Sequence, residues 1–262
     1  MNSTYSAALA VLALTLTACT SVPNYKPDPR DPLERLNRTT FAFNDALDRN
    51  FARPLARGYR RVTPDPIETG ISNFFANLEY PTVLVNNALQ GKIGAAASDT
   101  GRLLVNTTFG LGGFLDPATR MGLTRHDEDF GQTLGTWGVP PGAYIVVPVL
   151  GPYSVRDGVA SLADEFTEPR QYLEDDSTRW GLWAGKQIDK RARLLDADAL
   201  LERAGDKYVL VRSAYLQRRE YRVRDGNVPD DTSFEEEFEY DDAEASPEPA
   251  VSPEAPAVPP TR

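Results

Sequence analysis

The chain has 262 residues, 41% of them hydrophobic and 25% charged, and its formal net charge is −10. These values suit one large folded domain with added segments, and the negative charge excludes the net basic surface that nucleic-acid binding needs. The single cysteine excludes internal disulfides, cysteine-rich zinc sites and iron–sulfur clusters. We therefore expect no nucleic-acid partner, no metal and no cofactor.

An apolar run over residues 7–18 is too short to span a bilayer. It ends in Leu16-Thr17-Ala18-Cys19, which resembles the lipobox at which bacterial signal peptides are cut and the cysteine is acylated. We predict a signal peptide over residues 1–18 and lipidation of Cys19, with a lone buried cysteine as the alternative. The first six residues lack the usual Lys or Arg. Thr20 follows the cysteine, where aspartate in resembling lipoproteins favours the inner membrane, so an outer-membrane destination is expected.

Residues 19–30 are proline-rich and predict an extended tether, after which a helical domain is expected over residues 31–226. Apolar residues recur at helical spacing over 33–51, and we expect this helix to end at Arg53-Pro54. Asp65-Pro66 has the N-cap and N1 pattern of a helix over 65–80, Pro81 starts another over 81–90, and Gly91 separates these from a helix over 92–106.

Two long stretches carry no charge. The first, residues 103–115, contains the glycine-rich core Phe109-Gly110-Leu111-Gly112-Gly113-Phe114, which disfavours an ordinary helix. The second, residues 130–155, is long enough to cross a bilayer but contains four prolines and five glycines, so a lipid-facing span is excluded. Its Tyr144-Ile145-Val146-Val147 lies between prolines, and we interpret it as extended chain outside a sheet.

Irregular backbone at membrane depth survives only inside protein or along a wet cavity. We infer that both uncharged stretches surround a passage. A loop-rich soluble core is the alternative, and composition alone favours it.

Helices are also predicted over residues 156–166, over 178–204 as the longest of the chain, and around Tyr208, Val211 and Tyr215. Residues 227–262 hold 11 acidic residues and seven of the 21 prolines. Such a composition predicts a disordered acidic tail.

Catalytic motifs do not occur in the sequence. His126 is the only histidine, and neither a G-x-S-x-G elbow nor a P-loop is present. We interpret His126 as a surface residue that is ion-paired with its acidic neighbours Asp127, Glu128 and Asp129. We therefore expect a protein that is not an enzyme and has no ATP site.

Short blocks of sequence, in one order over residues 31 to about 222, resemble the VacJ/MlaA lipoproteins of Gram-negative bacteria. The blocks include Asp31-Pro32-Leu33-Glu34, Asn37-Arg38-Thr39, Phe43-Asn44, Gly70-Ile71-Ser72-Asn73-Phe74, Asn77-Leu78-Glu79, Leu89-Gln90-Gly91, Asn106-Thr107, Gly110-Leu111-Gly112-Gly113-Phe114-Leu115-Asp116, Asp129-Phe130-Gly131-Gln132-Thr133-Leu134-Gly135, Arg156-Asp157, Leu194-Leu195-Asp196 and Gln217-Arg218. The acidic tail lies outside this pattern.

The resemblance implies an all-α, ring-shaped domain embedded in the inner leaflet of the outer membrane, with irregular Gly/Pro-rich segments around a central amphipathic channel. It implies the transfer of mislocalised outer-leaflet phospholipids to a periplasmic lipid carrier, and association with a trimeric porin. By their place in matched blocks, we expect the following residues near the lipid channel: Asn37, Phe41, Asn44, Asn106, Phe109, Gly110, Leu111, Gly112, Gly113 and Phe114.

Two other functions stay open at this point. A phospholipase or acyltransferase would need a serine or His126 for turnover. A structural outer-membrane anchor would use the proline-rich tail as its tether.

Overall fold

The computed structural model describes residues 28–228. The predicted signal peptide, Cys19, most of the tether and the tail from residue 229 onwards lie outside the described residues. The described residues up to Asn227 belong to one compact unit.

The described residues are mostly helical, which confirms the predicted fold class. The α-helices are α1 (Glu34–Leu47), α2 (Arg53–Val62), α3 (Asp65–Leu89), α4 (Ile93–Phe109), α5 (Pro117–Arg120), α6 (Phe130–Thr136), α7 (Val155–Asp164), α8 (Asp176–Arg193), α9 (Asp198–Arg203) and α10 (Lys207–Val223). A π-helical turn spans Asp48–Ala52, 3₁₀ turns span Pro169–Tyr172 and Leu195–Ala197, and the strands are β1 (Tyr144–Val147) and β2 (Gly151–Ser154).

Two prolines do not end helices where the sequence suggested. The chain passes from α1 through the π turn directly into α2, so the predicted end at Arg53-Pro54 is wrong. Pro54 falls in the first turn of α2, where its missing N–H costs little. Pro81 lies inside α3, and the two helices predicted over 65–90 are one helix of 25 residues. Tyr80 and Val83 are buried on either side of it, so tertiary packing holds the helix together.

The helix predicted over residues 178–204 is divided, and the longest described helix is α3 instead. α8 ends at Arg193, and α9 starts only at Asp198 after a 3₁₀ turn. The carboxylate of Asp198 pairs with Arg191 at 2.7 Å. Asp196 in the turn pairs with Arg60 of α2 at 2.8 Å. These two ion pairs fix the chain where a continuous helix would have carried both carboxylates elsewhere.

The segment interpreted as extended chain outside a sheet is in fact a strand. β1 and β2 pair antiparallel, with Tyr144 opposite Ser154 and Val147 opposite Gly151. Val149 in the connecting turn and Gly151 at the start of β2 take positive φ angles of 69° and 92°. Pro152 lies within β2, a position that a two-stranded ladder tolerates because it has free edges.

The buried apolar core is small for a chain of this size. Tyr144 and Val146 of β1 pack with Tyr208 of α10, and the rings of Phe41 and Tyr208 meet edge to face at 5.6 Å. Many large apolar side chains lie on the surface instead, among them Phe51, Leu104, Phe109, Leu111, Val159, Leu162 and Phe166. None of the described helices combines the length and the apolar character that crossing a bilayer would require.

Candidate functional site

A cavity of about 660 Å³ lies within the helical unit. Its wall is built from α3, the charged turn over residues 125–129, β2, α7, the residues Glu165 and Glu168 that follow α7, α8 and α10. This volume falls in the range of roughly 300–1,000 Å³ that is common for small-molecule sites. Val83, Leu194 and Tyr153 lie among the charged residues of the lining, so the wall is mixed in character.

Arg219 of α10 joins two segments of the wall. Its guanidinium lies 2.6 Å from Asp129 and 2.9 Å from Asp157. Burial would raise the pKa of both carboxyls, but the charge of Arg219, with its hydrogen bond to Asp129 and that of Tyr215 to Asp157, outweighs burial and holds both pKa values low. The hydroxyl of Tyr215 also donates to Asp157 at 2.7 Å. The α10 wall is therefore fastened to α6 and α7 by charge-assisted bonds.

Helix caps position these carboxylates. Asp129 is the N-cap of α6, and its side chain accepts a hydrogen bond from the backbone N–H of Gln132 at 2.8 Å. Ser154 caps α7 by accepting from the N–H of Asp157 at 3.1 Å, so Asp157 stands in the first turn of α7. The local sequence thereby places both acids at the positive ends of their helices.

A second ion-paired group lies where α8 faces α3. The ammonium of Lys186 is 2.9 Å from Glu79 and 3.1 Å from Glu168. Burial alone would lower the pKa of Lys186, but the two carboxylates outweigh it and raise the pKa, so Lys186 is charged. Glu168 also pairs with Arg170 at 2.9 Å. These charges satisfy one another inside the wall.

Asp164 of α7 is different because its partners are neutral. It accepts hydrogen bonds from the side chain of Asn86 at 3.1 Å and from the backbone N–H of Phe130 at 3.0 Å. Burial, followed by the nearby charge of Asp129, raises the pKa of Asp164 to about 6. Its charge is thus the least compensated among the carboxylates described here.

A model of the MlaA lipoprotein family matches residues 29–222. The intermembrane phospholipid transport system lipoprotein MlaA of Escherichia coli strain K12 is 38% identical over 229 residues, covering 84% of this chain and 89% of that protein. The protein of the same name from Haemophilus influenzae is 33% identical over 229 residues, covering 85% and 91%. The chain belongs to the MlaA lipoprotein family.

A solved structure described as "Structural basis for maintenance of bacterial outer membrane lipid asymmetry" has the same fold. It superposes with a TM-score of 0.67 at 38% sequence identity, and the match covers 74% of this chain and 98% of that one. The helical architecture is therefore a property of this MlaA-family chain and of a solved relative alike.

Three of the expected channel residues lie together where α1 meets the hairpin. Asn37 is buried, and its side-chain N–H₂ donates to the carbonyl of Tyr144 at 3.0 Å and to Asp31 at 2.8 Å. Asn44 donates to the carbonyl of Val147 at 3.0 Å. Phe41 lies between them on α1 and packs on Tyr208. These contacts hold β1 to α1.

The other expected residues lie at the C-terminal end of α4 and in the loop that follows it. Asn106 is buried and donates to Asp116 at 3.1 Å, while its side-chain oxygen accepts from the N–H of Ala118 at 3.1 Å. The ring of Phe114 fills the space beside Gly70, where a Cβ would come within 2.3 Å of it. Phe109 and Leu111 are 78% and 75% exposed.

The glycine-rich loop satisfies its own backbone, so it does not need the shelter that the sequence suggested. The N–H groups of Gly112, Gly113 and Leu115 donate to the carbonyls of Thr107, Asn106 and Gly110 at 3.1, 2.8 and 2.8 Å. Positive φ angles at three successive residues, Leu111 to Gly113, make these bonds possible. Apolar side chains can therefore face outwards without exposing unpaired peptide groups.

None of the ten expected channel residues belongs to the described lining of the 660 Å³ cavity, and of the uncharged stretch 130–155 only Tyr153 does. Their place on the lipid path stays a prediction. Sequence reasoning missed the residues of the wall because they are charged and lie on helices, where a solvated face is the usual interpretation. A usable signal was the run Tyr215, Arg218, Arg219 and Arg222, which recurs at helical spacing on α10.

His126 is paired, but not with its sequence neighbours as predicted. Its Nδ1 lies 2.9 Å from the carboxylate of Asp99, which is fully buried in α4. The acids beside His126 are taken up by other cations, Asp127 by Arg222, Glu128 by Lys92 and Asp129 by Arg219. Within residues 28–228, no group of three or more His, Cys, Asp or Glu side chains is arranged to hold a metal ion.

Proposed function

We propose that the chain is a lipid-transport component that maintains outer-membrane lipid asymmetry by passing mislocalised outer-leaflet phospholipids through its cavity. The observation that carries this proposal is the cavity with a charged wall inside a helical unit whose outer surface carries large apolar side chains. The relatives named for intermembrane phospholipid transport support it, since they match over most of their length.

The chemistry of this arrangement suits a two-part ligand. A charged lining lowers the desolvation cost of a polar headgroup, because its side chains replace part of the headgroup's interactions with water. Acyl chains are stabilised by about 0.8 kcal/mol per methylene wherever they stay out of water, against apolar side chains or among other lipids. Exposed residues such as Phe109, Leu111 and Phe166 suit contact with acyl chains at interfacial depth.

Anchoring and partners follow from the same proposal. Acylated Cys19 holds the protein at the periplasmic leaflet of the outer membrane, and the apolar surface adds the second attachment that stable anchoring needs. A soluble periplasmic carrier receives the lipid. A trimeric porin supplies a rigid surrounding within the membrane. The protein itself contributes a path and no chemical step.

The test is complementation in a Gram-negative strain that lacks its own protein of this family. A membrane-impermeant amine-reactive reagent measures amine-bearing phospholipid in the outer leaflet. The full chain should lower this signal, and the Cys19→Ala variant should not, although it accumulates. A signal that is unchanged by the full chain, correctly localised, would contradict the proposal.

Catalysis is the competing function, and the pair of His126 with buried Asp99 is the observation that favours it. Incubation of the purified protein with radiolabelled phospholipid separates the two. We expect intact lipid at the end of the incubation. Release of fatty acid by the native chain, lost in His126→Asn, would replace transport with hydrolysis.

A further inference from the structure

Two arginines of the cavity wall form no ion pair with residues 28–228. Most lining charges are neutralised within the described residues. The pairs are Glu79 with Lys186 and Lys190, Asp127 with Arg222, Glu128 with Lys92, Asp129 and Asp157 with Arg219, Glu165 and Glu168 with Arg170, and Arg193 with Asp189.

Arg125 and Arg218 are the exceptions among the lining cations. Over residues 28–228, neither guanidinium has a carboxylate within 4.0 Å or makes a side-chain hydrogen bond. Arg125 stands in the turn before α6, Arg218 stands on α10, and both side chains are exposed to solvent. The two come from segments far apart in sequence and meet the same cavity.

The surroundings of Arg218 are unfavourable for a cation. Its neighbours on α10 are two further cations, Arg219 and Arg222. Arg219 is paired with Asp129 and Asp157, and Arg222 is paired with Asp127. Burial, then the charge of Arg222, lowers the pKa of Arg218, and Asp127 offsets this only in part. A bound anion would remove this repulsion.

We propose that Arg218, assisted by Arg125, forms an anion subsite in the cavity that binds the phosphate of a phosphodiester headgroup. The proposal rests on the proposed transport of phospholipid and names the group that the wall recognises. A guanidinium offers a planar fork of donors that matches two phosphate oxygens. Bonds of this kind are stronger than neutral ones.

The paired cations of the wall are poorer candidates. Lys186 and Arg219 each hold two carboxylates. Turning either towards a ligand would leave carboxylates of the wall without a partner, which is unfavourable. Arg218 can bind an anion without breaking an existing pair.

The experiment uses the full lipidated chain in detergent and two fluorescent probes with identical acyl chains. One is a phosphatidylglycerol and the other a diacylglycerol without phosphate. The wild type should bind the phosphatidylglycerol more tightly. Arg218→Gln should raise its Kd about tenfold, which is the size expected for losing a hydrogen bond to a charged group, and should leave the Kd of the diacylglycerol unchanged.

Arg57→Gln is the matched control, because Arg57 is exposed on α2 and is not among the residues that line the cavity. It should leave both dissociation constants unchanged. Arg125→Gln should weaken phosphatidylglycerol binding in the same direction as Arg218→Gln, and Arg218→Lys should restore part of the affinity. Thermal denaturation followed by circular dichroism establishes that each variant is folded. If Arg218→Gln does not fold, the comparison of the two probes is made with Arg125→Gln instead.

Inorganic phosphate identifies the source of the anion. We expect millimolar phosphate to displace little of the phosphatidylglycerol, since it lacks the acyl chains. If inorganic phosphate displaced the phosphatidylglycerol probe at the concentrations at which lipid does, the site would be assigned to free phosphate and the headgroup proposal would be overturned.

If Arg218→Gln weakened the binding of both probes equally, or of neither, the headgroup proposal would also be overturned. Neither result affects the complementation test of transport. A wild type that binds neither probe would instead contradict transport itself.

Discussion

The side-chain oxygen of Asn37 accepts a hydrogen bond from the backbone N–H of Val146 at 2.9 Å. Two helical turns later, the side chain of Asn44 donates to the carbonyl of Val147 at 3.0 Å and accepts from the N–H of Val149 at 2.8 Å. Helix α1 thus supplies to the outer edge of β1 the hydrogen bonds that a third strand would have provided.

This relationship predicts a graded loss of stability. Asn37→Ala should lower the free energy of unfolding by about 3 kcal/mol, because backbone groups of a buried strand edge lose their partners. Asn44→Ala should cost about 1 kcal/mol, since Val149 is exposed and water replaces the lost bond. Urea denaturation of the two variants measures the difference. Equal losses would show that the edge of β1 is not held in this way.

The glycine-rich loop gives a second matched pair. Both Gly112 and Gly113 have positive φ, but a Cβ at Gly112 meets open space, whereas one at Gly113 comes within 2.3 Å of the Asn77 side chain. Gly112→Ala should cost about 1 kcal/mol from the left-handed backbone alone. Gly113→Ala should cost about 3 kcal/mol or more, because overpacking adds to the same strain.

Thermal denaturation by circular dichroism compares the two alanine variants. A Gly112→Ala variant as unstable as Gly113→Ala would mean that the loop is held by backbone conformation rather than by its packing on α3.

The raised pKa of Asp164, about 6, predicts a pH-dependent stability. The folded state binds the proton of the Asp164 carboxyl more tightly than the unfolded state does. The stabilisation that this proton gives to the fold is complete below about pH 4 and is lost as the pH rises through 6. Asp164→Asn should therefore raise the free energy of unfolding by about 1 kcal/mol at about pH 7.5, after allowance for partial exposure to solvent. At low pH it should change little.

Asp175 provides the opposite sign for comparison. Hydrogen bonds from Thr178, then Ser177, lower the pKa of this helix N-cap to about 2. The ionised Asp175 carboxylate stabilises the folded state at neutral pH, and this stabilisation is lost as the pH falls through about 2. Asp175→Asn should therefore not stabilise the protein at about pH 7.5. Urea denaturation midpoints of the two variants, each relative to the wild type, should change with pH in different ways. The same pH dependence for both variants would contradict the opposite pKa shifts of Asp164 and Asp175.

Arg102 of α4 makes a further testable connection. It is 2% exposed, and its guanidinium donates to the Tyr80 hydroxyl at 2.6 Å, to the carbonyl of Leu123 at 2.6 Å and to Asp116 at 2.7 Å. Arg102→Lys should cost about 3 kcal/mol, since one ammonium cannot serve all these directions. Tyr80→Phe removes a single bond and should cost about 1 kcal/mol. Chemical denaturation tests whether the arginine variant is the weaker of the two.

Local spacing was sufficient for most helices of this chain. Apolar residues at helical intervals and Gly91 as a stop signal placed α3 and α4 within a few residues, because these signals act through neighbours one turn apart. Prolines misled in two places. Pro54 and Pro81 are tolerated since one starts a helix and the other is flanked by buried contacts, and neither circumstance is visible in the local sequence.

Periodicity, composition and short motifs need no long-range contacts, so they correctly indicated a mostly helical domain, and they also predict a lipobox and an acidic tail. That β1 is a strand became visible only in the folded chain, where β2 pairs with one edge and Asn37 and Asn44, more than one hundred residues away, bind the other. The tertiary structure also decided which charges line the cavity. Whether an arginine such as Arg218 is left without a carboxylate depends on where α10 packs, and that contact is set by the whole fold.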